Sequence, residues 1–258
     1  MVVKGIAEGF HDASVALVDK KEIIWAKHAE RITRKKNDRH NPQSLREADA
    51  QASVFYENVP LKNQRRLKFN QSPVSTKIFD YCDYHLEHHE SHAAGAYYTS
   101  PFTEDVVCLV IDAIGEWTCS SVWIIKSGKL KKVYEKIYPH SIGLFYSAIT
   151  KRIGLKPNED EYITMGMAAY GTPCVNMEYC FNDWANWHKG FTLDDFKGHS
   201  PADIAASAQL QAEYEIEMLV QKAVPWGKNL CYAGGVALNC VANSKILHNY
   251  FDNVWIYP

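Results

Sequence analysis

Four histidines lie within one short stretch of the chain, at positions 85, 88, 89 and 92. On a helix, residues four apart share a face, so His88 and His92 could hold one divalent metal ion between their imidazoles. His85 and His89 have the same spacing, and the sequence does not choose between the pairs. Surface or capping histidines are the commoner source of such a cluster. A third ligand is needed, and Asp112 is a candidate because it directly follows a continuous apolar run, where a carboxylate needs a partner.

Two further groups near the N-terminus could take part in chemistry. His11 follows the first apolar strand and could act as a general base, because a histidine titrates near neutral pH. The neighbouring Asp12 could equally well cap a turn. A basic cluster that could hold a phosphate or an acidic substrate consists of Arg31, Arg34, Lys35, Lys36 and Arg39. Spacing alone favours a solvated loop for this cluster.

A glycine pair, Gly234 and Gly235, stands between a predicted strand and a predicted helix. Backbone amides at a helix N-terminus, together with the helix dipole, suit the phosphate of a nucleotide. The surrounding residues match neither the Walker A pattern nor GxGxxG, so the sequence supports neither a P-loop NTPase nor a dinucleotide enzyme.

The elements that must position these residues include an approximate internal repeat. Three strands are predicted at 2–6, 14–18 and 22–28, with a polar turn after the first strand. About a hundred residues later the plan recurs, with strands at 106–111, 119–125 and 130–137 and a polar, Gly-containing turn at 112–116. The repeat predicts two units of similar construction.

Helices and strands alternate in the second half. Predicted elements are a helix at 140–153, a helix that begins at Pro201 after the N-cap Ser200, a strand at 229–233, a helix at 236–250 and a strand at 253–257. A strand, helix, strand order predicts parallel pairing of the last two strands. Segments 61–76 and 172–199 lack a clear period and are predicted to be loops or insertions. The second segment is aromatic-rich, which indicates packing over a cavity rim or in an insertion core more often than a substrate pocket; its rings include Trp184, Trp187, Phe191 and Phe196.

Composition excludes several classes of protein. The 258 residues suggest one large or two small domains, and 47% hydrophobic with 22% charged residues is ordinary for a folded chain. A net charge of -2 gives no reason to expect binding to a nucleic acid polymer or to a membrane surface. The seven cysteines contain no CxxC pair, which indicates a reducing compartment, and we expect a cytoplasmic protein. The longest apolar run is far shorter than the about 18 residues of a membrane span.

Seven segments, in order, carry a resemblance to a known family: FHDASVALV (10–18), ERITRKKND (30–38), HHESHAAGAYYTSPF (88–102), VIDAIGEW (110–117), SIGLFYSAIT (141–150), KPNEDEYITMGMAAYG (156–171) and YAGGVALNCVANSKI (232–246). The chain resembles the N-terminal domain of the carbamoyltransferases that act on nodulation factors and antibiotics. That domain belongs to the ASKHA superfamily of actin-like ATPases. The resemblance implies an α/β fold of two RNase H-like lobes, residues 1–104 and 105–258, with the second lobe incomplete at the C-terminus.

The resemblance also implies a reaction. Family members make carbamoyl-adenylate from carbamoyl phosphate and ATP in a YrdC-like domain, then transfer the carbamoyl group to a hydroxyl of a small-molecule acceptor. By resemblance, a divalent metal, expected to be Fe²⁺, is bound by His88, His92 and Asp112. His11 is implied to be the general base and Lys36 to face the substrate. The nucleotide side is implied to include Gly115, Gly234, Gly235 and Asn239.

The sequence departs from the family in length. Family members are roughly twice as long, and this sequence contains no YrdC-like domain, so we expect a separate YrdC-like chain as partner. The alternative is a non-catalytic metal- and nucleotide-binding ASKHA module, and a poorly folding remnant is a third possibility.

Overall fold

Two five-stranded β-sheets form the framework of the computed structural model. The structure describes residues 1–10, 12–20, 22–77, 82–126, 128–182, 187 and 189–257. The chain divides into two units, Met1–Ser91 and His92–Pro258, and each is described by itself. The lobe bounds expected from the sequence, 1–104 and 105–258, stay a prediction.

The sheet of the first unit begins with an antiparallel meander and continues with parallel strands. Its strands are β1 (Val2–Ala7), β2 (Ser14–Asp19), β3 (Glu22–His28), β4 (Ala52–Phe55) and β5 (Tyr84–His85), in the order β3-β2-β1-β4-β5. Strand β4 pairs in parallel with both β1 and β5. The helices between them are α1 (Glu30–Thr33), α2 (Gln43–Arg46) and α3 (Val59–Lys68). The core consists of Ile6, Val15, Leu45, Phe55 and Val59.

The second unit repeats this sheet order. Helix α4 (His88–Thr99) leads into it, and its strands are β6 (Val106–Ile111), β7 (Thr118–Lys126), β8 (Lys129–Ile137), β9 (Asn229–Ala233) and β10 (Asn253–Ile256). The sheet order is β10-β9-β6-β7-β8, in which β6, β7 and β8 are antiparallel and β9 and β10 continue in parallel. Counted within each unit, both sheets have the strand order 3-2-1-4-5. Both units are therefore RNase H-like, and the predicted repeat and the parallel pairing of the last two strands are confirmed.

Among the described residues of the second unit, the α-helices between or beside the strands are α5 (Ile142–Arg152), α6 (Glu161–Met167), α7 (Tyr179–Asn182), α8 (Pro201–Ala223) and α9 (Cys240–Ile246). Helix α8 starts as predicted, because the Ser200 side chain accepts a hydrogen bond from the backbone of Asp203 and Pro201 occupies the first helical position. Within the described part of the chain, no helix is long and apolar enough to cross a membrane.

Two predictions of local structure are wrong. The segment 61–76, predicted as a loop or insertion, contains most of helix α3. The helix predicted at 236–250 is not continuous, since a 3-10 turn at Gly235–Leu238 precedes α9 and another at Leu247–Asn249 follows it.

The aromatic segment forms a small core, as the commoner explanation predicted. Phe145 of α5 contacts the rings of Phe181 and Trp187, at centroid distances of 5.0 and 5.7 Å. Phe191 and Phe196 extend this cluster of rings, with 5.0 Å between their ring centroids. Trp184, expected in the same group, lies outside the described residues.

Candidate metal site

Helix α4 carries His88 and His92 one turn apart on one continuous helix. Small residues let this helix approach the second sheet closely, since Ala93 and Ala96 are fully buried in the core that Cys108 and Val110 of β6 share. At Gly95, an added Cβ would lie 2.9 Å from the Tyr257 ring. This packing fixes the rotation of the helix about its axis, and with it the direction of the His92 side chain.

Asp112 stands at the end of β6, whose six residues are all buried. Its backbone N–H donates to the Cys119 carbonyl at 3.0 Å, which extends the β6–β7 pairing beyond the strand. Its Oδ1 accepts from the Gly235 N–H at 3.2 Å, and its Oδ2 lies 3.5 Å from Nε2 of His92. The end of the strand thus positions the carboxylate beside His92. The Asp112 side chain is 18% exposed there.

One ligand atom each from His88, His92 and Asp112 lies within 4.8 Å of the other two, the one such group found among the described residues. Two ligands about 2.1 Å from one ion stand roughly 3–3.5 Å apart, which matches the 3.5 Å between His92 and Asp112. Two imidazoles with one carboxylate form the facial donor set that binds non-haem Fe²⁺ and leaves coordination positions open. All three side chains are partly exposed, so the residues fit a divalent ion that a substrate could approach.

The structure separates the two histidine pairs that the sequence left open. His89 is 1% exposed and does not belong to the three-residue group. Burial lowers the pKa of His85, whose ring packs edge-on against Phe55 at a centroid distance of 6.0 Å. Of the two pairs, His88 and His92 are therefore the histidines brought to a carboxylate.

The glycine pair, assigned from the sequence to the nucleotide side, packs against the end of β6. Gly234 has φ of 91° and an added Cβ would lie 2.3 Å from the Ile111 carbonyl oxygen, so a side chain has neither the conformation nor the space. Gly235 donates its N–H to the Asp112 carboxylate. The turn therefore orients a candidate metal ligand, a role that sequence reasoning missed.

A second support of this loop was also missed. The Ser141 hydroxyl donates to the Ala113 carbonyl and accepts from the Leu144 N–H at 3.0 Å, so one side chain caps α5 and ties it to the residue after Asp112. A Cβ on Gly143 would lie 2.6 Å from the Ala113 Cα, so only glycine permits this approach. The local signal is the capping serine before an apolar helix, but its long-range contact leaves no trace in the sequence.

Asn239 and Gly115 are held within the second unit. The Asn239 side chain caps α9 by accepting from the Ala242 N–H at 3.0 Å. It also exchanges two hydrogen bonds with the buried Gln209 amide, at 3.0 and 3.1 Å. Gly115 donates to the Thr118 carbonyl in the turn after β6. Nucleotide binding by these two residues stays a prediction.

The basic cluster predicted near the N-terminus lies in the first unit, in the segment that follows β3. Backbone hydrogen bonds of 2.8 Å join Gly9 to Arg39 and Ala13 to Asp38, so the turn after β1 lies beside the basic segment. Lys36 of that segment is exposed. His11, the predicted base, lies outside the described residues.

Buried Glu8 anchors this pair of loops. Its side chain accepts hydrogen bonds from Arg46 Nε at 3.2 Å and from Asn41 Nδ2 at 3.3 Å, and it lies 3.4 Å from His40 Nδ1. Because Glu8 directly precedes the turn after β1 and its partners follow the basic segment, this network holds the two loops against each other.

Comparison with known proteins agrees with this fold. A family profile described as "Carbamoyltransferase N-terminus" matches residues 75–186 and 188–258. The chain belongs to this carbamoyltransferase family. The matched residues of the carbamoyltransferase N-terminal domain include all three members of the candidate metal site.

Relatives of the domain are longer proteins. The chain is 30% identical to the Synechocystis protein sll1178, over 99% of the chain and 54% of that protein. It is 28% identical to nodulation protein NolO of Bradyrhizobium diazoefficiens, over 67% of the chain and 35% of NolO. The chain therefore spans about half the length of sll1178, and its match to NolO covers 35% of that protein. Among solved structures, T. kodakarensis HypF shares the fold, with a TM-score of 0.55 and 13% identity over 98% of the chain and 44% of HypF.

Proposed function

We propose that the chain transfers a carbamoyl group from carbamoyl-adenylate to a hydroxyl group of a small-molecule acceptor. The match to the carbamoyltransferase N-terminus and the similarity to NolO support the general reaction. We further propose that a YrdC-like part, on the same or a second polypeptide, makes the carbamoyl-adenylate from carbamoyl phosphate and ATP. The transfer would take place in the cytoplasm.

The transfer needs a base and a cation. The acceptor oxygen bonds to the carbamoyl carbon, the bond from that carbon to the phosphate oxygen breaks, AMP leaves, and the hydroxyl proton passes to a base. We assign the base to His11 by resemblance and the cation that faces the phosphate to Lys36. In support, the segment that carries Lys36 hydrogen-bonds to the turn on either side of residue 11.

His88, His92 and Asp112 would hold a divalent ion, which we propose to be Fe²⁺. Such an ion, when bound, supplies a Lewis acid that polarises a carbonyl or phosphoryl oxygen. The Gly235 N–H restrains one oxygen of Asp112 and leaves the other toward His92. This convergence of two imidazoles and a carboxylate, in a chain of this family, is the observation that carries the proposal.

Metal content of the purified chain tests the site. We expect one divalent ion per chain by elemental analysis, and a loss of at least tenfold in occupancy in His88→Ala and in His92→Ala. His248→Ala, which removes an exposed histidine outside the three-residue group, is the matched control and should keep its metal. Equal metal content in all four proteins would contradict the assignment of the ligands.

Carbamoyl transfer is tested with a YrdC-like domain supplied in trans. Radioactive carbamoyl phosphate, ATP and a panel of hydroxyl acceptors should yield a labelled product that the wild-type chain forms and His92→Ala does not. A metal-loaded, ATP-binding complex that transfers nothing to any acceptor would instead support the non-catalytic module.

A further inference from the structure

Cys174 and His199 form a thiol–imidazole pair that the proposed transfer does not use. The Cys174 Sγ lies 3.2 Å from Nδ1 of His199, within hydrogen-bond distance, and both residues are exposed. A nucleophile within reach of a base is the arrangement that activates a thiol, because the thiolate is the reactive form.

Helix α8 holds the segment that carries Cys174. The backbone N–H groups of Cys174 and Val175 both donate to the buried Ser207 hydroxyl at 3.1 Å. The N–H of Thr172 donates to Asp203 Oδ1 at 2.8 Å. Three hydrogen bonds to the first turns of one helix therefore fix the position of the thiol.

The same helix end holds the imidazole. His199 directly precedes Ser200, the N-cap of α8, whose side chain is bonded to Asp203. The segment that carries the thiol and the residue that carries the imidazole are thus both held at the N-terminal end of α8.

Asp203 supplies a negative charge beside this pair. Hydrogen bonds from the Thr172 N–H and the Ser200 hydroxyl, with a smaller contribution from the His199 imidazole, lower the pKa of Asp203. The carboxylate is therefore ionised near neutral pH.

We propose that Cys174, with His199 as its base, is a thiol–disulfide exchange site for low-molecular-weight disulfides. The thiol proton moves to Nδ1 of His199, and Sγ attacks one sulfur of the disulfide. A new S–S bond forms to Cys174 as the original S–S bond breaks, and the released thiolate takes up a proton. The disulfide is the oxidant, and excess thiol reverses the step.

Five of the other cysteines provide internal references. Cys108, Cys119, Cys180 and Cys231 are buried, and burial raises the pKa of the Cys180 thiol to about 11. Cys240 is exposed like Cys174, but no imidazole among the described residues hydrogen-bonds to it. Cys240 therefore reports the reactivity of an exposed thiol that lacks a base.

The experiment measures the rate of mixed-disulfide formation at each cysteine. The folded chain is incubated with glutathione disulfide near pH 7, quenched with acid, digested and mapped by mass spectrometry. Because the His199 imidazole lies within hydrogen-bond distance of Cys174 and can take up its proton during attack, we expect Cys174 to react about tenfold faster than Cys240. In His199→Ala, the Cys174 rate should fall to that of Cys240.

Two controls keep the result interpretable. His248→Ala removes another exposed histidine and should leave the Cys174 rate unchanged, and near-UV circular dichroism shows whether each variant is folded. Equal rates at Cys174 and Cys240 in the wild-type chain would overturn the proposal. So would a fast Cys174 whose rate is unaffected in folded His199→Ala, since the imidazole would then have no part in the reaction.

Discussion

Gly234 and Gly235 restrain the candidate metal ligand Asp112 in different ways. Gly234 needs a positive φ and lies against the backbone of Ile111, whereas an added Cβ on Gly235 would lie 3.2 Å from Asp112 Oδ1. The first glycine is therefore a requirement of the fold, and the second a requirement of the carboxylate position.

Alanine substitutions at the two positions should separate these roles. Gly234→Ala should lower the free energy of unfolding by about 3 kcal/mol, because backbone strain and overpacking each cost about 1–3 kcal/mol. Gly235→Ala should change stability by less than about 1 kcal/mol but weaken metal binding at least tenfold, because the methyl group displaces Oδ1. Urea unfolding and metal titration measure the two effects. A Gly235→Ala chain that binds metal as tightly as wild type would contradict the positioning role.

At the scale of residues, spacing alone predicted two candidate histidine pairs but did not show which pair would face the carboxylate. The two histidine pairs look equivalent in sequence, and they differ only because the fold brings Asp112 to His92. The glycines were predicted to face a phosphate for a general reason, the amides at a helix start. Their contact with Asp112 joins residues far apart in the chain and could not be predicted locally.

At the scale of elements, helix ends were predictable where a side chain caps them. Helix α8 combines a capping serine, a proline at the first position and an apolar face. Helix α3 was missed although Asn58 caps it and Pro60 lies in its first turn. Its buried residues are Val59 and the charged Arg65, so the chain shows no apolar period there.

The N-terminus of α8 gives a prediction about acid stability. Because hydrogen bonds from Thr172 and Ser200 lower the pKa of Asp203, its stabilising contribution is fully present above its ordinary value of 3.8. That contribution is lost as the pH falls through the lower value of the folded state. Asp203→Asn should therefore be less stable than wild type at pH 7, and the difference should shrink below pH 3.8.

Urea unfolding at several pH values measures this difference. Asp194→Asn is the matched control, because that side chain is 92% exposed and its Lys197 partner is 4.0 Å away. It should match wild type at every pH. A gap between Asp203→Asn and wild type that stays constant from pH 7 into the acid range would show that the hydrogen bonds of the ionised form are not responsible.

At the scale of the whole molecule, the repeat predicted the fold because each antiparallel meander is continuous in sequence. The parallel strands of the first unit were not predicted, since β4 has four residues and β5 has two. Strands this short contain too little alternation to be recognised. Their positions follow from the sheet, because β4 pairs with the edge of β1 and β5 pairs with the edge of β4.

Removal of the metal should destabilise the whole chain, because an ion bound only by the folded state adds to its stability. At about 100 times its Kd a ligand contributes about 2.7 kcal/mol, and for a chain of this size 1 kcal/mol shifts the melting temperature by about 2–4 °C. A chelator should therefore lower the melting temperature of wild type by about 5–10 °C. His92→Ala should melt at one temperature with or without the chelator, since it has lost a ligand, while His248→Ala should respond like wild type. If chelation strips a stoichiometric ion from wild type and leaves the melting temperature unchanged, the ion is not bound by the three residues that only the folded chain brings together.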